Sequence, residues 1–265
     1  MSIGSATPPR TSVRLAVLPD FSLLVGGRPV ELRPASERLI GFLALQCGRA
    51  VPRGVASSTL WPDVPDTKAN ACLRSAIWRL ARAEVAVVDA SATHVQLHRS
   101  VEVDLWAATA RVTRLLDLAS VGPYDVRLDR DLRHLEHDVL VGWFEDWALD
   151  EQERFRQLRL HALDRLGAMC LDAGRPADAV RVGHVAVSCE PLRESAQALL
   201  VRAHLAEGNV AEALRQFRSF AALLATELGI APSRRLTRLV DDALVRAAAP
   251  PPVTRGRLAS PAVRR

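Results

Sequence analysis

Asp66-Thr67-Lys68-Ala69-Asn70-Ala71-Cys72-Leu73-Arg74-Ser75-Ala76-Ile77-Trp78-Arg79-Leu80-Ala81-Arg82 reads as one helix with two unlike faces. At roughly 100° of turn per residue, Ala69, Leu73, Ala76, Ile77 and Leu80 fall on one apolar stripe. Asp66 or Thr67 is placed to cap its start, where a short oxygen-bearing side chain accepts from the free N–H groups of the first turn. Opposite the stripe stand Ala71, Ser75, Trp78 and Arg82, flanked by Arg74 and Arg79. Three guanidiniums, an indole and a hydroxyl share this face without a carboxylate. A solvated helix usually mixes the signs of its charges, so a face that excludes negative groups suits a polyanion.

Outward from this helix the chain supplies a matching frame. Val13–Leu18, Phe21–Val25 and Arg28–Leu32 are β-type runs, separated by Pro19-Asp20 and by Gly26-Gly27, a two-residue hairpin turn. Pro34 opens a helix whose apolar positions Leu39, Ile40, Phe42, Leu43 and Leu45 continue to Gly48, and Arg53–Leu60 makes a second helix, ended by Trp61-Pro62. After Arg82, Val85–Val88 and His94–Leu97 form a second hairpin across Asp89–Thr93. Strands, three helices and a closing hairpin are the order of a winged helix, in which the third helix enters the major groove. Arg74, Arg79 and Arg82 suit guanine edges, with Trp78 beside them. Ser75 suits phosphate, Lys68 joins the contact set, and the small polar wing tip, Ser91, Thr93 and His94, suits close approach to a backbone.

The blocks Pro34-Ala35-Ser36-Glu37-Arg38-Leu39, Gly48-Arg49-Ala50-Val51-Pro52-Arg53, Leu60-Trp61-Pro62-Asp63 and Leu73-Arg74-Ser75-Ala76-Ile77-Trp78-Arg79-Leu80 resemble the Streptomyces antibiotic regulatory protein (SARP) family. The likeness covers about residues 13–245 in ordered blocks. It implies an OmpR-type winged helix followed by a bacterial transcriptional activator domain. It further implies binding of promoter direct repeats in double-stranded DNA as a side-by-side homodimer, recruitment of RNA polymerase holoenzyme, and activation of antibiotic or other secondary-metabolite genes. Cys72 and Ala81 stand where relatives often carry Asn and Arg, and Thr93-His94 replaces a common Gly-Tyr pair. These departures bear on which operator is read.

The second half is helical in pattern. Asp104–Ala119 is a helix followed by the breaker Gly122-Pro123. Gly142-Trp143-Phe144-Glu145-Asp146-Trp147 opens a longer helix to about Ala173, with an apolar stripe at Phe155, Leu158, Ala162, Leu166 and Met169. Trp143 and Trp147, four apart, are assigned to core packing on one helical face. Leu171–Arg181 then aligns with Leu205–Arg215 at an offset of 34, the period of tetratricopeptide repeats, with Gly174 and Gly208 at the turns and Ala179 and Ala213 at helix crossings. The second copy has Phe217 at the usual aromatic place and the first has Gly183. Arg234–Arg246 adds a last helix to a short solenoid, an architecture that commonly binds proteins.

Composition narrows the function classes. Of 265 residues, 49% are hydrophobic and 5% aromatic, enough for real cores built from Leu, Val and Ala. Residues 1–100 carry a net +5 and 101–247 a net −4, which points to the front as the part that meets nucleic acid, while the net +4 of 248–265 is expected to add nonspecific phosphate attraction. Four scattered cysteines fit reduced, mostly buried thiols. Neither a signal core nor an 18-residue apolar run is present, so the expectation is a cytoplasmic, nucleoid-associated protein without membrane contact. Asp131, His134, Glu136, His137 and Asp138 are a dense titratable cluster, read as a polar helix face rather than a metal site. His161, His184 and His204 fall inside helices as packing or surface residues. No phosphate loop, dinucleotide fingerprint or nucleophile elbow occurs, so no enzyme, cofactor or metal is expected.

The expected fold is mainly α: a disordered tail 1–12, a winged-helix DNA-binding domain with a small antiparallel sheet and wing over 13–100, an all-α TPR-like domain over 101–247, and a disordered Pro/Arg-rich tail 248–265. Two other function classes stay open at this level. One is a regulator gated by a small molecule or peptide in the helical domain; the other is an interaction module that has lost DNA specificity.

Overall fold

The computed structural model describes residues 12–82, 86–117 and 127–248, the last without its side chain. Both expected tails, Val85 of the expected wing and the Gly122-Pro123 breaker lie outside the described residues, apart from Ser12 and the backbone of Ala248. The front part runs β1 (Val13–Ala16), β2 (Ser22–Val25), β3 (Arg28–Pro29), α1 (Pro34–Leu45), β4 (Val51–Pro52), α2 (Arg53–Leu60), α3 (Asp66–Ala81), β5 (Val88–Ala90), β6 (His94–Leu97) and β7 (Val101–Val103). Val13 and Leu15 are buried and Arg14 is exposed, the alternation of a strand with one face on a core. Gly26 and Gly27 take φ of 58° and 79°, the left-handed values a tight hairpin needs and glycine adopts without a Cβ clash.

Two small sheets result, ordered β3-β2-β1-β7 and β4-β6-β5. β7 lies parallel to β1, and the other pairings are antiparallel. β4 was invisible to pattern reading because it is two residues long and one is proline. Its pairing with β6 ties the entry of α2 to the wing. Between the sheets, Leu39, Ile40, Leu43, Leu60, Leu73, Ala76 and Val95 make a continuous core.

The helical part comprises α4 (Asp104–Leu116), α5 (Leu128–Arg133), α6 (Asp146–Asp172), α7 (Pro176–Cys189), α8 (Glu194–Ala206), α9 (Val210–Leu228) and α10 (Arg234–Ala248). The 34-residue repeat is α6-turn-α7 followed by α8-turn-α9. Gly174 and Gly208 turn with φ of 68° and 79°, and Ala179 and Ala213 are buried at the crossings. Gly183 is the repeat's irregular position for a steric reason. A Cβ there would sit 2.6 Å from Leu200 Cδ2, so the Leu200 side chain already fills the space that an aromatic would need. Gly183→Phe, which restores the repeat pattern, is therefore expected to destabilise by about 3 kcal/mol through overpacking, measured by chemical denaturation. No helix among the described residues is long and apolar enough to cross a membrane.

Several expectations are corrected here. Trp143 does not share a helical face with Trp147: it precedes α6, in an irregular stretch that lies against the front part. Its packing role stands, since its ring stacks on Phe21 at 5.9 Å and meets Trp147 edge-on at 5.7 Å, while Trp147 meets Phe42 at 5.5 Å. The same stretch is fastened by backbone, with Leu140 N–H donating to Val17 O and Val141 N–H to Pro19 O, both at 2.8 Å. Asp131, His134, Glu136, His137 and Asp138 do not form one polar helix face, because α5 ends at Arg133. Asp131 is buried against Arg111, and Asp138 pairs with Arg159. Among the described residues no group of three or more His, Cys, Asp or Glu is placed to hold a metal ion. Of the four free cysteines only Cys170 is buried; Cys47 is exposed at a φ of 50° just after α1.

Candidate nucleic-acid interface

The apolar stripe of α3 is seated as its spacing requires. Ala69, Leu73, Ala76 and Leu80 are buried, and Ile77 is half-buried against the same core. The start differs from expectation: Pro65 occupies the cap position, and neither Asp66 nor Thr67 makes a side-chain cap hydrogen bond. The first-turn N–H groups of Lys68 and Ala69 donate to Pro65 O instead, at 2.8 and 3.0 Å. Asp66, in the first turn, favours the positive end of the helix dipole without capping.

Fixing the inner face leaves Lys68, Arg74, Ser75, Trp78, Arg79 and Arg82 exposed. Among the described residues Arg74 and Arg79 make no ion pair, so both guanidiniums stand open to an external anion. Trp78 is 59% exposed, far more than a large aromatic normally is, and the Arg82 guanidinium lies 4.5 Å from its ring centroid. That contact spans one helical turn and holds the cation on the outer face at little entropic cost. Behind α3, Ser57 Oγ of α2 donates to Asn70 Oδ1 at 3.1 Å, bracing the two helices.

The wing tip is more constrained than its composition suggested. Ser91, Thr93 and His94 are all exposed, but the Ser91 hydroxyl accepts from His94 N–H at 3.0 Å and from Thr93 N–H at 3.3 Å, closing the turn on itself. Thr93 Oγ1 and His94 Nδ1 lie 2.9 Å apart. Arg53, missed in the sequence, anchors this tip to the start of α2. Its N–H donates to Thr93 O at 2.8 Å and its guanidinium to Ser91 O at 3.1 Å. No local signal could reveal it, because its partners lie 38 and 40 residues away. The wing, α2 and α3 thus form one braced unit with a basic, carboxylate-poor outer face.

Comparison with known proteins supplies the context. The family described as bacterial transcriptional activator domain matches residues 103–244. Regulatory protein AfsR of Streptomyces coelicolor is 29% identical over 217 residues, which cover 78% of this chain and 21% of that protein. Regulatory protein AfsR of Streptomyces griseus is 27% identical over 236 residues, covering 82% and 24%. The chain therefore spans about a fifth to a quarter of the length of these relatives. Among solved structures, Mycobacterium tuberculosis EmbR in complex with a low affinity phosphopeptide has the same fold, with a TM-score of 0.64 at 18% identity over 89% of this chain and 66% of that one.

Proposed function

The chain belongs to the bacterial transcriptional activator domain family, as a SARP-type transcriptional regulator and not an enzyme, and from that premise we propose that it binds double-stranded DNA sequence-specifically through α3. In this reading α3 lies in the major groove, where Arg74, Arg79 and Arg82 take guanine edges and Trp78 holds Arg82 on the reading face. Ser75 and Lys68 meet phosphate, and the tip formed by Ser91, Thr93 and His94 meets the neighbouring backbone. The observation that carries the reading is the exposed face of α3, whose Arg74 and Arg79 make no ion pair among the described residues and which holds no carboxylate past the first turn, on a helix whose other face is locked into the core.

The family likeness supports a wider reading: two copies side by side on promoter direct repeats, RNA polymerase holoenzyme recruited through the helical domain, and activation of secondary-metabolite genes at the nucleoid. Selection of bound sequences from random DNA by the purified chain tests the first step, and enriched sites in tandem would support pairing. On the selected site, Arg74→Ala and Arg79→Ala are each expected to cost about 1–3 kcal/mol and relax preference at one base position. Fluorescence anisotropy across a salt series reads this out. Unchanged affinity and salt slope in both variants would remove α3 from the interface.

A further inference from the structure

Between Arg127 and Asp138 bases and acids are interleaved in sequence, and the fold pairs the three aspartates with arginines of other helices. The aspartates turn to other helices. Asp129 meets Arg181 of α7 at 2.7 Å, Asp131 lies buried with its Oδ2 2.8 Å from Nη2 of Arg111 on α4, and Asp138 pairs with Arg159 of α6. Arg130, Arg133, His134 and His137 turn elsewhere and line a cavity of about 360 Å³ together with Leu18 and Asp104. Among the described residues Arg130 and Arg133 make no ion pair. Asp104, the carboxylate in the lining, already accepts from the N–H groups of Val17, Leu18 and Leu105 at 2.7–3.2 Å. Burial, then the two guanidiniums beside it, hold His134 below the ordinary histidine range, outweighing the opposing pull of Asp131 and Asp104. The lining thus sets four basic side chains against one carboxylate that is already engaged by backbone N–H groups.

We propose that this cavity, at the junction of the winged helix and the helical domain, binds the phosphoryl group of a small phosphorylated metabolite. Guanidinium forks match phosphoryl oxygens two at a time, and two imidazoles add further donors. Leu18 is the apolar part of the lining, and the volume sits near the small end of ligand sites, so the occupant is compact and mainly anionic. Because Leu18 follows β1 and Asp104 opens α4 while the cations lie on α5 and the turn after it, an occupant touches both parts of the chain at once.

Isothermal titration calorimetry of the full chain with inorganic phosphate and with pyrophosphate, at an ionic strength fixed with chloride, tests this. Pyrophosphate is expected to bind one per chain and more tightly than phosphate, and the Arg130→Ala/Arg133→Ala variant to weaken it about tenfold or more. Both arginines are exposed, so this variant keeps its fold, checked by an unchanged melting temperature without ligand. The Arg235→Ala/Arg238→Ala variant, altered in a separate groove at α10, is expected to bind pyrophosphate as the parent does. In parallel, the His134 ring resonances should move on titration and its pKa rise, since a bound anion favours the imidazolium. Absence of binding by either probe overturns the proposal, as does retained affinity in the Arg130/Arg133 variant or equal loss in both variants. If instead the Arg130/Arg133 variant loses affinity for duplex DNA while neither probe binds, these residues meet DNA phosphates and the metabolite site does not exist.

Discussion

Trp143→Ala is expected to lower stability by about 3 kcal/mol and to loosen the winged helix from the helical domain. The ring is the hinge point of a small aromatic cluster, stacked on Phe21 and edge-on to Trp147, which in turn meets Phe42 of α1. It also covers Gly41 inside α1, where a Cβ would stand 2.8 Å from its Cη2. Trp143 is only half-buried, which holds the loss to the lower end for a large aromatic. The contact with Gly41 gives a sharper test than the single change. Gly41→Ala should destabilise the parent by forcing the ring outward. In the Trp143→Ala background the same change should stabilise by about 1 kcal/mol, since alanine is the better helix former and there is nothing left to strike. A double-mutant cycle by urea denaturation reads the reversal of sign; additive effects would show that the ring does not rest on α1 in solution. Hydrogen exchange should at the same time find the amides of Leu140 and Val141 less protected in Trp143→Ala, because their bonds to Val17 and Pro19 lie under the same cluster.

The second large effect is expected at Arg159. Its side chain is 1% exposed, yet its guanidinium pairs with Asp138, which is 51% exposed. Nε and Nη1 are buried without a hydrogen-bond partner among the described residues, so Asp138 alone satisfies the charge. Removing the carboxylate by Asp138→Ala leaves a buried cation unpaired and should cost about 3 kcal/mol, toward the low end for a broken buried pair because water reaches Asp138. Arg159→Met removes the charge together with its desolvation penalty and should be near neutral or stabilising. The double variant should therefore recover most of what Asp138→Ala loses, and calorimetric melting of the three variants measures it. Failure of Arg159→Met to rescue would mean that the guanidinium is stabilised by something other than its partner carboxylate.

These two sites mark the limit of what could be read along the chain. Arg159 occupies the buried phase of α6, four residues after Phe155 and four before Leu163, a position that the apolar stripe read from the sequence did not include. Its burial follows because the position of a side chain on a helix is set by geometry, and its charge is met by a partner from elsewhere in the chain. Trp143 was correctly assigned to packing but on the wrong support. Besides Trp147, its contacts are with Phe21 and Gly41, more than 100 residues back, and no local pattern encodes those two. The charge sorting around α5 belongs to the same class, since Arg111, Arg159 and Arg181 choose among neighbouring aspartates only once α4, α6 and α7 are assembled.

What the sequence determined by itself was local and periodic. The apolar stripe of α3 fixes which face of that helix is buried and hence which arginines are exposed. Gly26-Gly27 sets the first hairpin, and the 34-residue offset sets the helical pairs, because backbone conformation and side-chain phase depend on residues within a turn or two. Only the tertiary structure decided how the wing tip is pinned by Arg53, how Trp143 joins the two parts, and which basic side chains near the junction line one cavity. Those outcomes depend on groups far apart in the chain competing for one another at close range, and that competition is settled by packing.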